Sequence, residues 1–283
     1  MNFKVIQTPP ERFLNLPDYD FSENYKTIKF HDTKMNMHYV DINRDSRKAI
    51  LLLHGEPTWS YLYRHMIKIL AKSGHRVIAP DLIGFGKSDK LIEKENYTYA
   101  NHINWTSQFI EKMNLHNIVL FAQDWGSLLG LRHVAKYPKR FDGIVISNGG
   151  LPVGSGSTPA FDQWLDFSQR VEIFDSGKIV NQGCLRDLTE GEIAAYNAPF
   201  PDESFKAGPR AFPTLVPIKT NQDQVKENKE AWKELQKFDK PTISLFGDHD
   251  KVFAGQEKFI LEKIPGAKGL KHRNIRAGHF SQE

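Results

Sequence analysis

A short stretch near the middle of the chain constrains the fold most, because it joins a buried-strand pattern to a tight turn and a helix. Residues Asn117 to Gly126 read Asn-Ile-Val-Leu-Phe-Ala-Gln-Asp-Trp-Gly. The apolar run that begins at Ile118 is typical of a strand buried on both faces. Ala122 and Gly126 stand two positions on either side of Asp124, where a strained strand-to-helix turn leaves no room for larger side chains. The stretch therefore predicts a strand, a sharp turn that presents Asp124, and a helix that begins near Trp125.

Asp124 has two interpretations at this point. A carboxylate is already ionised at neutral pH, so it can attack a saturated carbon directly and form an alkyl ester without a base to activate it. Alternatively, Asp124 caps the N-terminus of the following helix, which is a common role of aspartate. The turn motif alone does not decide between a nucleophile and a helix cap.

Composition and charge exclude several classes of protein. The chain has 283 residues, of which 40% are hydrophobic and 25% charged, as in an ordinary globular protein with a large core. Its net charge of +4 comes from 38 basic and 34 acidic residues, without the dense basic block of a nucleic-acid surface. Cys184 is the only cysteine, so we expect no internal disulfide and a small buried side chain. Without a secretory signal or a run of ~18 apolar residues, we expect a cytoplasmic protein.

Between about Thr27 and Ser147, strand-like and helix-like segments alternate, which predicts an α/β fold with a mostly parallel sheet covered by helices. An opening hairpin and five further strands are predicted at Thr27–Phe30, Met37–Asp41, Ala49–Leu53, Val77–Ala79, Ile118–Phe121, Gly143–Ser147 and Thr242–Phe246. A last strand is predicted to lead to Ala277–His279. Helices are predicted at Tyr61–Lys72, Tyr99–Met113, Ser127–Lys136 and Gln222–Phe238.

The amino-acid composition of the sequence changes after Ser147. Gly149–Thr158 is rich in glycine and serine, and the next ~60 residues are aromatic, interrupted by prolines and free of parallel-strand patterns. We interpret this segment as a helical cap inserted into the α/β core. The expected division is core at residues 1–151, cap at 152–214 and core again at 215–283.

A nucleophile at such a turn requires an acid and a base, which follow it along the chain as a carboxylate and then a histidine. The loop after the Thr242–Phe246 strand reads Gly-Asp-His-Asp-Lys, and the last apolar turn contains Ala-Gly-His-Phe. We therefore assign His279 as the base and Asp250 as its partner, with Asp248 as a rival for the second role. Asp124, Asp250 and His279 all follow predicted strands, which places them at the same edge of the sheet.

Two further patterns concern negative charge. His54-Gly-Glu-Pro follows the Ala49–Leu53 strand, and in this arrangement the backbone amides of Glu56 and Trp125 would form an oxyanion hole. Indole N–H groups are donors on rigid apolar rings, which suits a dry pocket for a large, weakly hydrated anion. Trp125 adjoins Asp124, and Trp164 in the cap could supply a second donor. From the residues alone, packing is the simpler role for Trp164. We interpret Trp59, Trp105 and Trp232 as packing residues.

The chain resembles the haloalkane dehalogenases of the α/β-hydrolase superfamily over nearly its whole length. The shared motifs are Thr8–Phe13, His54–Ser60, Ala79–Ser88, Gln123–Gly126, Phe161 with Trp164, Ala195–Pro201 and Gly278–Glu283. The resemblance implies hydrolysis of carbon–halogen bonds in small haloalkanes, with Asp124 as nucleophile, Asp250 and His279 as acid and base, and Trp125 and Trp164 as halide donors. It also implies backbone oxyanion donors at Glu56 and Trp125, no metal or organic cofactor, and as partners a small apolar halogenated substrate, water and the halide product. We expect a monomer, although the sequence carries no signal for the oligomeric state.

The resemblance points to the subfamily with a halide-binding tryptophan in the cap. Related dehalogenases use an Asn amide at the Glu56 position, but an ionised glutamate offers no donor and repels an anion, so Trp164 is expected to supply the second donor. Relatives can also carry the acid directly after the Gly143–Ser147 strand, where this chain has Asn148. Family members usually continue beyond Gly278–Glu283 into a further helix, so we expect the C-terminal helix to be absent here.

Three alternative functions fit the residues less well. Epoxide hydrolases share the aspartate and triad but usually use two cap tyrosines, whereas only Tyr196 falls in the cap segment. A haloacid dehalogenase requires arginines for the substrate carboxylate, and Arg132 is the nearest to Asp124. A non-catalytic binding protein with this fold usually has a damaged triad, and the predicted triad is intact.

Overall fold

The computed structural model describes residues 3–253 and 255–283, and over these residues the chain forms ten strands and nine α-helices. The strands are β1 Val5–Ile6, β2 Asn24–Phe30, β3 Thr33–Ile42, β4 Ala49–Leu53, β5 Arg76–Pro80, β6 Lys90–Leu91, β7 Ile118–Gln123, β8 Phe141–Ser147, β9 Thr242–Gly247 and β10 Arg273–Ile275. The helices are α1 Arg64–Lys72, α2 Tyr99–Lys112, α3 Trp125–Lys136, α4 Pro159–Arg170, α5 Ser176–Gln182, α6 Glu190–Asn197, α7 Ala207–Leu215, α8 Val225–Leu235 and α9 Glu257–Lys263.

Within the described residues, eight of these strands form one sheet in the order β10-β9-β8-β7-β4-β5-β3-β2. The six strands from β10 to β5 are parallel neighbours, and β3 and β2 add an antiparallel edge. Strands β1 and β6 form a separate antiparallel pair. This mostly parallel, helix-covered sheet confirms the predicted fold class.

The central strands bury apolar side chains on both faces. In β4, Leu51 and Leu53 pack in a cluster that includes Trp105 of α2 and Trp232 of α8, whereas Leu52 packs on the opposite face. The period of two residues explains this division, because successive side chains of a strand point to opposite faces. Within the residues that the structure describes, no helix is both long and apolar enough to cross a membrane.

Several elements differ from the sequence-based predictions. Strands β2 and β3 extend beyond the predicted hairpin and meet at a tight turn in which His31 has φ 52°. Their half-exposed residues pair through the backbone even though the apolar pattern is weak. Strand β10 consists of only three residues, all of them exposed, so its sequence carries little strand signal. The short strands β1 and β6 and the helix α9 were also not predicted. Cys184, expected to be buried, is half-buried beyond the end of α5.

Helices α4 to α7 lie between β8 and α8 along the chain, in the segment predicted to form the cap. Thr158 and Thr189 cap the N-termini of α4 and α6 by accepting backbone hydrogen bonds, which explains where these helices begin. The boundaries of the cap at residues 152 and 214 stay a prediction.

Candidate active site

The turn between β7 and α3 presents Asp124 in a strained backbone conformation. Asp124 has φ 51° and ψ −128°, values that cost energy for a residue with a side chain. A Cβ atom on Gly126 would lie 1.9 Å from the Leu53 carbonyl oxygen, and one on Gly55 would lie 2.1 Å from Asp124 Oδ1. Both glycines are therefore required by close approach. In the described part of the chain, the Asp124 side chain makes no capping hydrogen bond to α3, which removes the simple helix-cap interpretation.

The structure brings Asp124, Asp250 and His279 together. His279 Nδ1 lies 2.9 Å from Asp250 Oδ2, and His279 Nε2 lies 3.8 Å from Asp124 Oδ2. Asp250 is buried in the loop after β9, whereas Asp248 is exposed and contacts the neighbouring His249. The geometry thus places Asp250, rather than Asp248, beside His279.

Two groups that the sequence analysis had not assigned hold Asp250 in place. The Asn148 side-chain amide donates to Asp250 Oδ2 at 2.8 Å, and the Val252 backbone amide donates to Oδ1 at 2.8 Å. Asn148 Oδ1 in turn accepts from the Gly247 amide at 2.9 Å. Asn148 follows β8 directly, so its position at the end of a parallel strand was a usable signal. These bonds fix the carboxylate that faces the imidazole.

Backbone amides converge on the Asp124 carboxylate. The Glu56 amide donates to Asp124 Oδ1 at 2.8 Å. Burial raises the pKa of Asp124, and the charge of His279 and the amides of Trp125 and Glu56 oppose that increase. These amides lie where the sequence predicts an oxyanion hole, and N–H groups aimed at a carboxylate oxygen also stabilise charge that develops there.

The titration of the imidazole is set by opposing effects. Burial lowers the pKa of His279, but the negative charges of Asp250 and Asp124 outweigh burial and raise this pKa overall. Burial raises the pKa of Asp250, but the His279 charge and hydrogen bonds outweigh it, so the pKa of Asp250 is lowered. The pair therefore favours an ionised Asp250 that can orient His279 through Nδ1.

The Glu56 side chain differs from the sequence-based expectation. It is buried, and within the described chain its Oε1 atom has no hydrogen-bond partner. Burial and the nearby charge of Asp124 raise the pKa of Glu56 well above its usual value. The structure thus favours a protonated Glu56, whereas the expectation assumed an ionised one. The burial that favours the neutral form of this side chain was not visible in the sequence.

A cavity of about 540 Å³ opens onto Asp124 and His279. This volume is in the range of small-molecule sites. Trp125 from the core and Trp164 from α4 both line it, together with apolar cap residues such as Phe161 and Ile179. Trp125 stacks on Phe212 with ring centroids 4.4 Å apart.

The five tryptophans separate into two groups. Trp59 donates to the Ala195 carbonyl of α6, Trp232 donates to the Leu151 carbonyl, and Trp105 is fully buried, so all three are packing residues as predicted. Among the described residues, no protein acceptor engages the indole N–H of Trp125 or Trp164, although both line the cavity. A pair of donors is thus available at the cavity wall.

The residues that an epoxide hydrolase or a haloacid dehalogenase would require do not line the cavity. Tyr196 is fully buried and its hydroxyl donates to Glu283, while Arg132 donates to Gln224 and Asn228. Neither Tyr196 nor Arg132 lines the cavity. Within residues 3–253 and 255–283, no group of His, Cys, Asp or Glu side chains is arranged to hold a metal ion.

The sheet order, the strained turn after β7 and the aligned acid and histidine define the class of protein as an α/β hydrolase. In agreement, the alpha/beta hydrolase fold family matches residues 48–283. The chain is 46% identical to a haloalkane dehalogenase of Psychrobacter cryohalolentis, covering 99% of this chain and 93% of that one. It is 44% identical to a haloalkane dehalogenase of Mycolicibacterium paratuberculosis, with 99% and 93% covered.

A solved structure gives the same result. The haloalkane dehalogenase DpaA from Paraglaciecola agarilytica, described as tetrameric, superposes with a TM-score of 0.92 at 35% identity over 99% of this chain and 94% of its own. The chain therefore belongs to the haloalkane dehalogenase family, as the sequence motifs indicated.

Proposed function

We propose that the protein hydrolyses carbon–halogen bonds in small haloalkanes through an alkyl ester of Asp124, and that Asp250, His279, Trp125 and Trp164 carry out this reaction with the backbone of Glu56. Family membership supports the reaction. The observation that carries the residue roles is the Asp124 carboxylate, with one oxygen held by the Glu56 amide and the other facing His279.

The first step is displacement of halide. Asp124 Oδ1 accepts from the Glu56 amide, so Oδ2 is the oxygen available to attack the substrate carbon. The new carbon–oxygen bond forms as the carbon–halogen bond breaks, and the electron pair of that bond leaves with the halide. Trp125 and Trp164 line the cavity, and we propose that their indole N–H groups stabilise the departing charge.

The second step is hydrolysis of the ester. His279 accepts a proton at Nε2 from a water that attacks the ester carbon of Asp124, while Asp250 holds the other ring nitrogen. The amides of Glu56 and Trp125 stabilise the negative charge on Oδ1. The tetrahedral intermediate then collapses, and the alcohol leaves with the proton that His279 took from water. The second water proton remains on the Asp124 carboxyl group, which releases it to solvent and becomes a carboxylate again.

The decisive test compares halide release from 1-bromobutane and 1,2-dibromoethane by the parent and by Asp124→Asn. The parent is expected to release one bromide and one proton per alcohol formed, and the variant to lose bromide release. Asp248→Asn is the matched control, because Asp248 is in the same loop as Asp250 but exposed. A parent that turns over styrene oxide and releases no bromide would support the epoxide hydrolase alternative instead. A parent that releases no bromide from either haloalkane and does not hydrolyse styrene oxide would support a non-catalytic role.

The proposal extends to the partners and the setting of the enzyme. Its partners are a small apolar halogenated substrate, water and the halide product, which suits the apolar lining of the cavity. We propose that the active unit is a monomer, and light scattering tests this point. A cytoplasmic location stays a prediction from the sequence, to be tested by cell fractionation.

A further inference from the structure

The turn that carries His279 packs against the end of a helix in the cap segment. Helix α5 ends at Gln182, and the next residue, Gly183, lines the cavity together with Phe280. The Phe280 amide donates to the Gly183 carbonyl oxygen at 3.4 Å. A Cβ atom on Gly278 would lie 2.1 Å from the same oxygen. The residues on both sides of the proposed base therefore lie against the backbone at the end of α5.

The lack of a side chain at Gly183 is a matter of space. Its backbone has φ −86° and ψ −4°, as at the third position of a type I turn, which residues with a side chain also adopt. A Cβ atom on Gly183, however, would lie 2.6 Å from Phe280 Cε2 and 2.7 Å from Phe280 Cδ2. Carbon atoms pack at about 3.5–4.0 Å. Gly183 therefore makes room for the Phe280 ring, which is buried in an apolar cluster that also contains Val180 of α5.

Two phenylalanine rings confine the imidazole of His279. The Phe280 ring meets the imidazole edge-on, with ring centroids 4.7 Å apart and planes at 85°. The Phe253 ring stacks on the imidazole with centroids 5.7 Å apart. The hydrogen bond between Nδ1 and Asp250 fixes one edge of the imidazole, and the packed rings restrict its rotation about that bond. The direction of Nε2, which accepts the proton from water, therefore depends on where the Phe280 ring lies.

These contacts form a continuous path from α5 through Gly183 and Phe280 to His279. We propose that Gly183 and Phe280 are positioning residues, through which the end of α5 sets the direction of the His279 imidazole for hydrolysis of the ester. Ester formation takes place at Asp124 and requires no proton transfer to His279, so it should not depend on these contacts. This inference rests on the proposed roles of Asp124 and His279.

The first variant is Gly183→Ala, because its methyl group would displace the Phe280 ring. A single turnover of 1-bromobutane, with enzyme in excess and at saturating concentration, yields bromide as ester forms and 1-butanol as ester is hydrolysed. Butanol formation should slow by about 10-fold or more, since a misplacement of 1 Å can cost about 100-fold, while bromide formation keeps the parental rate. Gly150→Ala is the matched control, because its methyl group would meet nothing within 4 Å and both rates should stay unchanged.

A second substitution tests whether the effect passes through the Phe280 ring. Phe280→Leu lacks the Cε2 atom that the new methyl group would meet first. In the Phe280→Leu background, Gly183→Ala should therefore cause no further loss of butanol formation, so that the two substitutions are coupled in a double-mutant cycle. Phe280→Leu by itself should slow butanol formation and leave bromide formation unchanged, because the edge of the ring no longer meets the imidazole.

The possible results are distinct. Equal slowing of both steps in either variant, parental butanol formation in Gly183→Ala, or the same loss from Gly183→Ala with and without the Phe280 ring would each overturn the inference. If Gly183→Ala does not fold, Phe280→Leu alone decides, and a parental rate of butanol formation would exclude a positioning role for the ring. A parent that releases no bromide would instead contradict the proposed function.

Discussion

The backbone amide of Glu56 donates to Asp124 Oδ1 at 2.8 Å, and this bond joins the turn after β4 to the turn after β7. The two turns are neighbours because β4 and β7 are parallel and adjacent, with Leu53 paired to Ala122. Parallel pairing therefore places an oxyanion donor from one loop against a carboxylate from another. Only one of the two carboxylate oxygens is held in this way, which leaves Oδ2 facing the cavity and His279.

The pH dependence of the two proposed steps should differ. Ester formation requires ionised Asp124, whereas ester hydrolysis requires neutral His279. The pKa of His279 is raised from 6.5 because the charges of Asp250 and Asp124 outweigh burial. As pH falls, hydrolysis is therefore lost first, and ester formation persists until the pH reaches the pKa of Asp124.

Below the pKa of His279 we expect a bromide burst followed by slow turnover, and mass spectrometry should detect the alkylated protein. At alkaline pH the ester should not accumulate to the same extent. An enzyme whose burst and steady state decline together would argue against this assignment of the two groups.

Removing the cap indole donor should slow halide release. Trp164→Phe keeps an aromatic ring at the cavity wall but removes the N–H, and a hydrogen bond to a charged group contributes about 1.5–3 kcal/mol. We expect bromide release to fall by roughly 10- to 100-fold. Trp232→Phe is the control, because it makes the same exchange of indole for phenyl at a tryptophan that donates to the Leu151 carbonyl and does not line the cavity. Rates like those of the parent in Trp164→Phe would leave Trp164 with a packing role only.

The turn at Asp124 should not tolerate a larger residue than glycine at position 126. The added methyl group of Gly126→Ala would meet the Leu53 carbonyl oxygen at 1.9 Å, so the backbone must shift. We expect a loss of about 1–3 kcal/mol in the free energy of unfolding. A displacement near 1 Å at the carboxylate should lower bromide release by about 100-fold. Gly150→Ala, whose methyl group would meet nothing within 4 Å, should remain close to the parent in urea unfolding and in activity.

A buried ion network supports the turn that carries His279. Glu283 accepts from Arg64 of α1, Arg186 and Tyr196, and its side chain is inaccessible to solvent. Removal of one charge from a buried pair leaves the partner uncompensated, which costs about 3–5 kcal/mol.

Because Arg186 is partly exposed, Glu283→Gln should reduce the free energy of unfolding by about 3 kcal/mol, measured by urea denaturation. The control is Glu230→Gln, which breaks an exposed pair with Lys233 and should cost less than about 1 kcal/mol. Equal effects in the two variants would show that the network contributes little.

The sequence by itself determined the fold class and the order of the site residues. Apolar runs such as Ala49–Leu53 and Ile118–Phe121 are buried on both faces of a parallel sheet, and that pattern is local and strong. The small residues around Asp124 predict the turn because they reflect close approach, which the structure shows at Gly126.

Only the tertiary structure shows that Asp250 contacts His279 whereas Asp248, in the same loop, contacts His249. It also showed that Glu56 is buried, which raises the pKa of its carboxyl group, and it placed Gln123 on His279 across 156 residues of sequence. The weakly apolar β10 and the extended ends of β2 and β3 depend on neighbouring strands for their hydrogen bonds. Contacts of this kind join distant parts of the chain, so no local sequence pattern predicts them.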